Sequence, residues 1–461
     1  MQRKSKNSKS TVSSARSAAF DILLHVERDD SYAAELLHSS AHQQLSTPDH
    51  ALATELVMGV LRWRSRLDDE IAHASSQPLA RLDLEILIAL RLGLYQLGWL
   101  DRIPQRAAIH ESVELVKRAR KSSATGFVNA VLRKLSARIS THLDNADTKN
   151  ADSAETIAHA FAHPQWIITR WVSQYGLAAT QRICDYDQRI PETAIRLRTP
   201  AAEAALQAQG ITLAPGNFLS SARRVSHGDV TKSPAFRDGH AVIQDEASQL
   251  VAALIGNGTK FLDCCAAPGG KTLAMADANP NATIFAAELH PHRARLLKNL
   301  LSSKTHDSSR AKIHIAAADA RALPYSSRFD CILVDAPCSG TGTLARNPEI
   351  KWRLQPSDLV ELHSRQVDIL HAALQHLAPR GRLLYSTCSL EKEENEDVIE
   401  KILRQNKTLQ LLNCRDELDR LKSAGSLLWS DLENLTRGPY LRTVPGLHLC
   451  DGFFAAILEK N

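Results

Sequence analysis

The second half of the chain alternates short apolar runs with helical segments, and this pattern constrains the fold more than any other feature of the sequence. Helical segments such as Pro291–Lys304 and Pro356–Leu377 lie between some of the runs. Alternation of this kind is typical of an open, mostly parallel sheet with helices on both faces, which binds ligands at the carboxyl ends of its strands. We therefore predict a Rossmann-like domain over residues 233–461. Its candidate strands are Lys260–Cys264, Thr283–Leu289, Ile313–Ala318, Phe329–Asp335 and Arg382–Ser386.

The first part of the chain has helical periodicity instead. Apolar residues recur at spacings of three and four, and Thr47 followed by Pro48 is typical of a helix N-cap with proline at the first helical position. We predict an all-helical bundle over residues 12–143. The tail before it, residues 1–11, is rich in Ser, Lys and Asn and is predicted to be disordered.

Between these two regions the pattern is mixed. The acidic, small-residue run Asp144–Glu155 is typical of a linker. Residues 156–232 then hold helical segments at Trp166–Tyr175 and Ala201–Gln209 and a candidate strand at Thr193–Arg198. We predict a small α+β connector there, which makes the fold class α plus α/β and multidomain. A length of 461 residues agrees with this division, because a typical domain has about 150.

The net charge of +5 is modest, but the basic residues are not spread evenly. Between Leu115 and Leu143 the sequence contains no carboxylate. This set, which we call the basic face, favours contact with phosphates of a nucleic acid over an ordinary solvated helix surface, since such a surface usually interleaves both signs. Its members are Lys117, Arg118, Arg120, Lys121, Arg133, Lys134 and Arg138.

Several classes of protein are disfavoured. No apolar run reaches the roughly 18 residues of a membrane span, and the polar, basic N-terminus does not resemble a signal peptide. The eight cysteines form no C-x-x-C pair, so we expect neither a zinc site nor a disulfide framework. We predict a cytoplasmic protein with reduced thiols and no membrane or metal partner.

The loop after the first predicted strand has the small residues and glycines that allow a close approach to a ligand. It lacks the G-x-G-x-x-G of a dinucleotide site, and the first glycine of a P-loop would fall at Cys265. S-adenosylmethionine (SAM) fits better, because Glu288 ends the second strand, where an acid can bind ribose hydroxyls, and Asp319 ends the third, where it can accept from an adenine amino group. Each acid taken alone is more often a capping or surface residue. The loop residues are Cys265, Ala266, Ala267, Pro268, Gly269, Gly270 and Lys271.

Two further thiols follow later strands on the same predicted edge of the sheet. Cys338 lies in the segment after Asp335, and Cys388 follows the strand that ends near Ser386. A cysteine in such a place is usually a buried core residue, but beside a cofactor pocket either thiol is a candidate nucleophile. The residues alone do not divide the roles between them.

Four segments together resemble the RNA cytosine-C5 methyltransferases. They are the loop Cys265–Lys271, the run Asp335–Ser339, the run Thr387–Ser389 with Glu393–Asn395, and Asp451–Phe454 near the end. The stretches Leu56–Arg62 and Gly126–Lys134 resemble the RNA-binding domain of the NusB antitermination factor. The fusion is similar to the bacterial small-subunit rRNA methyltransferase B family, also called Sun or Fmu. Glu288 departs from the pattern, since relatives often have Asp, and so does Cys264 beside Cys265.

This resemblance implies SAM as the cofactor, bound by the loop with Glu288, Asp319 and Asp335. It implies Cys388 as nucleophile and Cys338 as the second cysteine, which we assign to product release. The chemistry of the base adds two catalytic candidates: Asp335 can hold N3 protonated or accept from N4, and Lys271 can contact the pyrimidine or lower the pKa of a thiol. A thiolate added to C6 makes C5 of cytosine nucleophilic enough to accept a methyl group. The implied partner is 16S rRNA or an early small-subunit assembly intermediate. We expect the protein itself to be a monomer. The alternatives are a methyltransferase acting on tRNA or 23S rRNA, and a non-catalytic ribosome-assembly factor that binds RNA.

Overall fold

The computed structural model describes residues 12–39, 44–138, 151–301 and 311–461. Its chain forms two compact units. Unit 1 consists of Met1–Arg189 and Leu344–Arg353, and unit 2 consists of Ile190–Thr343 and Leu354–Asn461. The predicted disordered tail lies outside the described residues, as does most of the predicted linker. The domain boundaries at 143, 156 and 233 stay predictions.

Unit 1 is helical throughout its described part. Its core contains the apolar residues whose spacing predicted the bundle, among them Leu56, Val60 and Leu132, all buried. The helices are α1 Ser14–Arg28, α2 Ala33–Leu37, α3 Thr47–Arg62, α4 Arg64–Ala74, α5 Leu84–Trp99, α6 Gln105–Arg118, α7 Thr125–Arg138, α8 Ala154–Ala160, α9 Gln165–Tyr175 and α10 Leu177–Asp187.

The start of α3 differs from the prediction by one position. Ser46 is the N-cap, and its Oγ accepts a hydrogen bond from the backbone N–H of Asp49 at 3.3 Å. Thr47 therefore stands at the first helical position and Pro48 at the second. Both positions suit proline, because the first turn of a helix has no acceptor for its N–H groups.

Unit 2 begins with a small antiparallel sheet of order β2-β3-β1-β4. The expected strand and helix of the connector are present, but the sheet also takes in β4, which lies beyond residue 232. The elements are β1 Thr193–Leu197, α11 Ala201–Gln207, β2 Thr212–Pro215, β3 Ala222–His227, α12 Pro234–Arg237 and β4 Ala241–Ile243.

The large sheet of unit 2 has nine strands within the described residues, in the order β11-β12-β13-β9-β8-β5-β6-β7, with β10 beside β13. The strands are β5 Lys260–Asp263, β6 Thr283–Glu288, β7 Lys312–Ala317, β8 Phe329–Asp335, β9 Leu377–Thr387, β10 Leu409–Leu412, β11 Thr436–Arg437, β12 Tyr440–Thr443 and β13 Phe453–Lys460. The remaining helices are α13 Glu246–Ala253, α14 Gly270–Ala278, α15 Pro291–Leu301, α16 Ile350–Arg353 (in unit 1), α17 Pro356–Gln375, α18 Glu396–Gln405 and α19 Cys414–Ser423.

The five strands predicted from apolar runs correspond to β5 through β9, which pair in parallel. The predicted mostly parallel sheet accounts for only about half of the observed sheet. Strands β10 to β13 extend it beyond β9 with antiparallel pairing. Parallel strands with helices on both faces are buried on both faces and read as apolar runs. The added strand β13 also opens with a buried apolar run, residues 453–458, which the sequence prediction did not assign as a strand, whereas β10, β11 and β12 are only two to four residues long. Helix α15 was predicted to reach Lys304, and that end lies outside the described residues. The parallel strands end together at what we call the carboxyl edge.

Among the described residues, no helix combines the length and apolar character needed to span a membrane.

Candidate active site at the carboxyl edge of the large sheet

The register of β8 and β9 brings the two candidate cysteines together. In this parallel pair Asp335 lies opposite Ser386, so the chain segments that follow run side by side. Cys338 and Cys388 lie in these segments, with their Sγ atoms 3.3 Å apart. Two thiols at this separation can both contact the same small group of a substrate.

The Cys338 thiol is electrostatically disfavoured as a thiolate. Its hydrogen bond with Cys388 and its burial raise the pKa of Cys338 well above the ordinary value of 9.0. Burial likewise raises the pKa of Cys264 and of Cys265 well above that value. All three thiols therefore keep their protons at neutral pH. They are not in the thiolate form, which is the form of cysteine that acts as a nucleophile.

Lys271 and Asp335 form an ion pair beside the thiols. The Nζ of Lys271 donates to Oδ2 of Asp335 at 2.7 Å, and the Oγ of Ser386 donates to Oδ1 at 2.7 Å. The same ammonium lies 4.9 Å from the ring centre of Phe453 on β13. The antiparallel half of the sheet thus supports a lysine that comes from the first turn of α14.

The loop between β5 and α14 depends on Gly269 for its shape. Gly269 has a φ of 113°, and a Cβ there would lie 2.6 Å from Cδ1 of Leu297 on α15. Only glycine tolerates both the left-handed backbone and the close packing. Below the loop, Thr272 Oγ1 donates to the buried carboxyl of Asp263 at 2.6 Å. Burial raises the pKa of Asp263 to about 7.

A cavity of about 220 Å³ opens beside this loop. The predicted loop residues 265–271 and Asp335 line it, together with Asp263. Six further lining residues were not predicted from the sequence, and most come from α12, from β4 and the residue after it, and from α13: Phe236, Val242, Ile243, Gln244, Ser248 and Leu300. The available signal was a polar residue, Gln244, directly after the short apolar run of β4.

Gln244 is the most informative of the missed residues. Its side chain is buried, and within the described residues its Oε1 makes no hydrogen bond. Its Nε2 donates to Ser248 Oγ at 3.3 Å. A buried polar atom without a partner costs free energy, so an acceptor at the wall of a cavity favours a ligand that carries a donor there.

Glu288 and Asp319 lie at the carboxyl edge as predicted, at or just beyond the ends of neighbouring strands β6 and β7. Neither residue lines the cavity. Glu288 is buried and accepts from the backbone N–H of His290 at 3.0 Å. Asp319 is bound by Arg321 at 2.7 Å, and this hydrogen bond lowers the pKa of Asp319. Their role toward a cofactor stays a prediction.

The basic face lies on α6, α7 and the turn between them. The stretch between Leu115 and Leu143 has no carboxylate of its own, but carboxylates outside this stretch form ion pairs with three of its cations. Glu114 binds Lys117 at 2.6 Å, Asp21 binds Arg118 at 2.6 Å and Asp83 binds Lys121 at 2.8 Å. Lys134 donates to the carbonyl of Ala74. In the described part of the chain no ion pair involves Arg120, Arg133 or Arg138, and these three are exposed. RNA binding by the face as a whole stays a prediction.

The open sheet with a glycine loop leading from β5 into α14 at its carboxyl edge is typical of domains that bind nucleotide-like cofactors, and the family match places the chain in the class of SAM-dependent methyltransferases. Residues 252–459 match the family described as 16S rRNA methyltransferase RsmB/F, and residues 13–137 match the NusB family. The chain belongs to the ribosomal RNA small subunit methyltransferase B family.

The relatives are similar along nearly the whole chain. A probable ribosomal RNA small subunit methyltransferase B from Bacillus subtilis is 30% identical, over 97% of this chain and 99% of the relative. A ribosomal RNA small subunit methyltransferase B from Cronobacter sakazakii is 31% identical, over 91% of this chain and 92% of the relative. The crystal structure of PH0851 shares the fold with a TM-score of 0.77 at 22% identity, covering 97% of this chain and 98% of that one.

Proposed function

We propose that the protein transfers a methyl group from SAM to C5 of a cytosine in 16S rRNA, through a covalent bond between Cys388 and C6 of the base. One observation carries this proposal. The thiols of Cys338 and Cys388 lie 3.3 Å apart at adjacent strand ends, beside the Lys271–Asp335 pair. The names of the family and of the relatives support the RNA substrate.

The residues around the cavity fit SAM. The loop 265–271 offers small side chains and the N-terminus of α14, while Phe236, Val242 and Leu300 supply apolar surface. Gln244 Oε1 provides an acceptor for an amino group, and Glu288 can accept hydroxyl donors from ribose. When bound, SAM supplies an electrophilic methyl group. Loop 265–271 would hold it against the edge of the sheet, together with Glu288, Asp319 and Asp335.

The base must leave any stack before it can reach this edge. The Cys388 thiolate then forms a bond to C6, and the electron pair of the C5–C6 double bond moves toward N3 and O2. Asp335, held by Lys271 and Ser386, is placed to accept from N4 or to hold a proton at N3 as charge builds on the ring. C5 would use that electron pair to bond the methyl carbon, while the bond between this carbon and the sulfonium sulfur breaks and leaves its electron pair on sulfur, so that S-adenosylhomocysteine departs.

Product release needs one proton and one bond to leave. The hydrogen on C5 departs as a proton, its electron pair restores the C5–C6 double bond, and the C6–S bond breaks to return the Cys388 thiolate. Cys338 is adjacent to the sulfur that leaves and keeps its own proton, so we assign it to this stage. It either donates to the departing sulfur or orients the water that removes the C5 proton.

The proposal is tested by incubating the full chain and labelled SAM with three separate RNAs from cells that lack the protein: 16S rRNA, 23S rRNA and tRNA. We expect label in 16S rRNA alone, recovered as 5-methylcytidine after digestion. Label in tRNA or 23S rRNA alone would support the alternative substrate. SAM and RNA binding without transfer, on both naked 16S rRNA and small-subunit assembly intermediates, would support a non-catalytic assembly factor.

A further inference from the structure

Glu394 is a fully buried acid that the reaction above does not use. It ends the 3-10 turn Lys392–Glu394 in front of α18. Its Oε1 accepts from the backbone N–H of Ser339 at 2.8 Å and from Nε2 of Gln366 at 2.9 Å. Its Oε2 accepts from Oγ of Ser389 at 2.5 Å and also from Oγ of Ser339. Four donors thus converge on one carboxylate.

The two serines are the residues that directly follow the two cysteines. Ser339 comes after Cys338, and Ser389 comes after Cys388. The two hydroxyls are also 3.0 Å from each other. A single carboxylate therefore ties together the two chain segments whose thiols must share one substrate base.

Neighbouring groups keep Glu394 itself in place. Its backbone carbonyl accepts from the hydroxyl of Tyr385 at 2.6 Å. Gln366 also donates to the carbonyl of Pro337 at 3.0 Å, and Asn395 Nδ2 donates to the carbonyl of Ser389 at 2.9 Å. Both cysteine segments are thus fixed through side chains and main chain alike, and both oxygens of the Glu394 carboxylate accept hydrogen bonds within this buried network.

We propose that Glu394 is a positioning residue for the two-cysteine reaction, whose carboxylate sets the separation between Cys338 and Cys388. This inference rests on the proposed function for its meaning, but the geometry it assigns exists without substrate. Its negative charge has a second effect, since it adds to the causes that raise the pKa of Cys338. Holding the thiols together and keeping Cys338 protonated both serve release of the Cys388 adduct.

The separation of the thiols can be measured without catalysis. Diamide takes two electrons and two protons from a pair of thiols and leaves a disulfide, so the rate of Cys338–Cys388 coupling reports how often the two sulfurs meet. We expect Glu394→Gln to slow this coupling at least 10-fold, scored by peptide mass mapping on the full chain. The glutamine amide replaces one acceptor oxygen with an NH2 donor, which cannot accept from the hydroxyls of Ser339 and Ser389. The hydrogen bonds that hold the two cysteine segments together are then lost. The control Glu400→Gln changes an exposed acid on α18 and should couple at the wild-type rate.

The second measurement is the split between kcat and KM. Because Glu394 is fully buried and does not line the cavity, we expect Glu394→Gln to lower kcat about 10- to 100-fold while KM for SAM stays within 2-fold. Ser339→Ala and Ser389→Ala remove one hydroxyl each and keep the carboxylate, so they test the same network if Glu394→Gln fails to fold. Each should slow coupling about 3-fold, with less than additive effects when combined with Glu394→Gln.

Unchanged coupling in folded Glu394→Gln, or in both serine variants, would overturn the inference. Slower coupling in an enzyme that makes no 5-methylcytidine even as wild type would leave the positioning role intact and reject the proposed function instead. Normal coupling in a Glu394→Gln variant that has lost methyl transfer would leave the proposed function intact and reject the positioning role, because Glu394 would then act on the reaction by another route.

Discussion

The basic face of unit 1 and the carboxyl edge of unit 2 both collect charged side chains, but they are built in opposite ways. On the basic face, acids from distant sequence positions neutralise cations on the surface, as Asp21 does for Arg118. At the carboxyl edge the charges are partly buried and bind each other, as Lys271 does with Asp335, inside a frame of strand ends. Surface pairs contribute little energy, whereas desolvated pairs fix a geometry.

The difference teaches where sequence patterns can be trusted for function. Parallel register places every strand end on one edge, so residues that follow strands meet however far apart they lie in the chain. Helix packing has no such rule, and the neighbours of a surface cation depend on which helices cross it. A motif at a strand end therefore carries more information than a run of one charge on a helix.

The largest expected effect tests whether the carboxyl edge is a reaction centre. Cys388→Ala cannot form the C6 adduct, so methyl transfer and any denaturant-resistant protein–RNA complex should both vanish. Cys338→Ala should still attack and methylate once, then accumulate that complex, since release is its role. Gel analysis of labelled RNA under denaturing conditions measures both results.

The roles would be exchanged if the Cys388 variant were trapped and the Cys338 variant released its RNA. Full turnover in both variants would reject covalent catalysis. Cys184→Ala serves as the matched control, because this thiol is buried in unit 1 and should alter neither transfer nor trapping.

The next effect concerns the flank of the edge that does not line the cavity. Glu288→Ala should raise the Kd for SAM about 10- to 100-fold, because charge-assisted hydrogen bonds to ribose are lost. Calorimetry on the RNA-free protein measures this directly, and Glu361→Ala, an exposed acid on α17, should bind as wild type. Unchanged SAM affinity in folded Glu288→Ala would make this acid a cap for the turn at His290 rather than a ligand.

Much of the candidate site could be predicted from the sequence for the reason given above. Strands that read as apolar runs precede loop 265–271, Cys338 and Cys388, and one of them ends at Asp335. Because these strands pair in parallel, the residues at and beyond their ends lie together at one edge of the sheet. Gln244 could not be found this way, since its strand is three residues long and belongs to another sheet. Glu394 was part of a motif, but its partners Ser339 and Gln366 are separated from it along the chain, so only packing reveals the network.

A third prediction uses Asp263, a buried acid at the end of β5. Burial raises the pKa of Asp263 from 3.8 to about 7, so the folded protein binds a proton between these values that the unfolded chain releases. This contribution to stability is complete below pH 3.8 and is lost as the pH rises through about 7. We expect Asp263→Asn to lose less stability than wild type between about pH 4 and pH 7, by up to about 1.4 kcal/mol per pH unit. Urea unfolding at several pH values measures it, and parallel profiles would show that the carboxyl is already ionised.

The smallest effect separates paired from unpaired cations on the basic face. Arg133 and Arg118 are both exposed, but Arg118 is bound to Asp21. If phosphates bind where no acid competes, Arg133→Ala should reduce the slope of log affinity against log salt by about 0.7 to 0.9, the value for one lost contact. Arg118→Ala should change the slope by less, because its charge is already partly compensated. Equal changes in both variants would mean that RNA displaces Asp21, and no change in either would remove the basic face from the RNA interface and confine recognition to other surfaces.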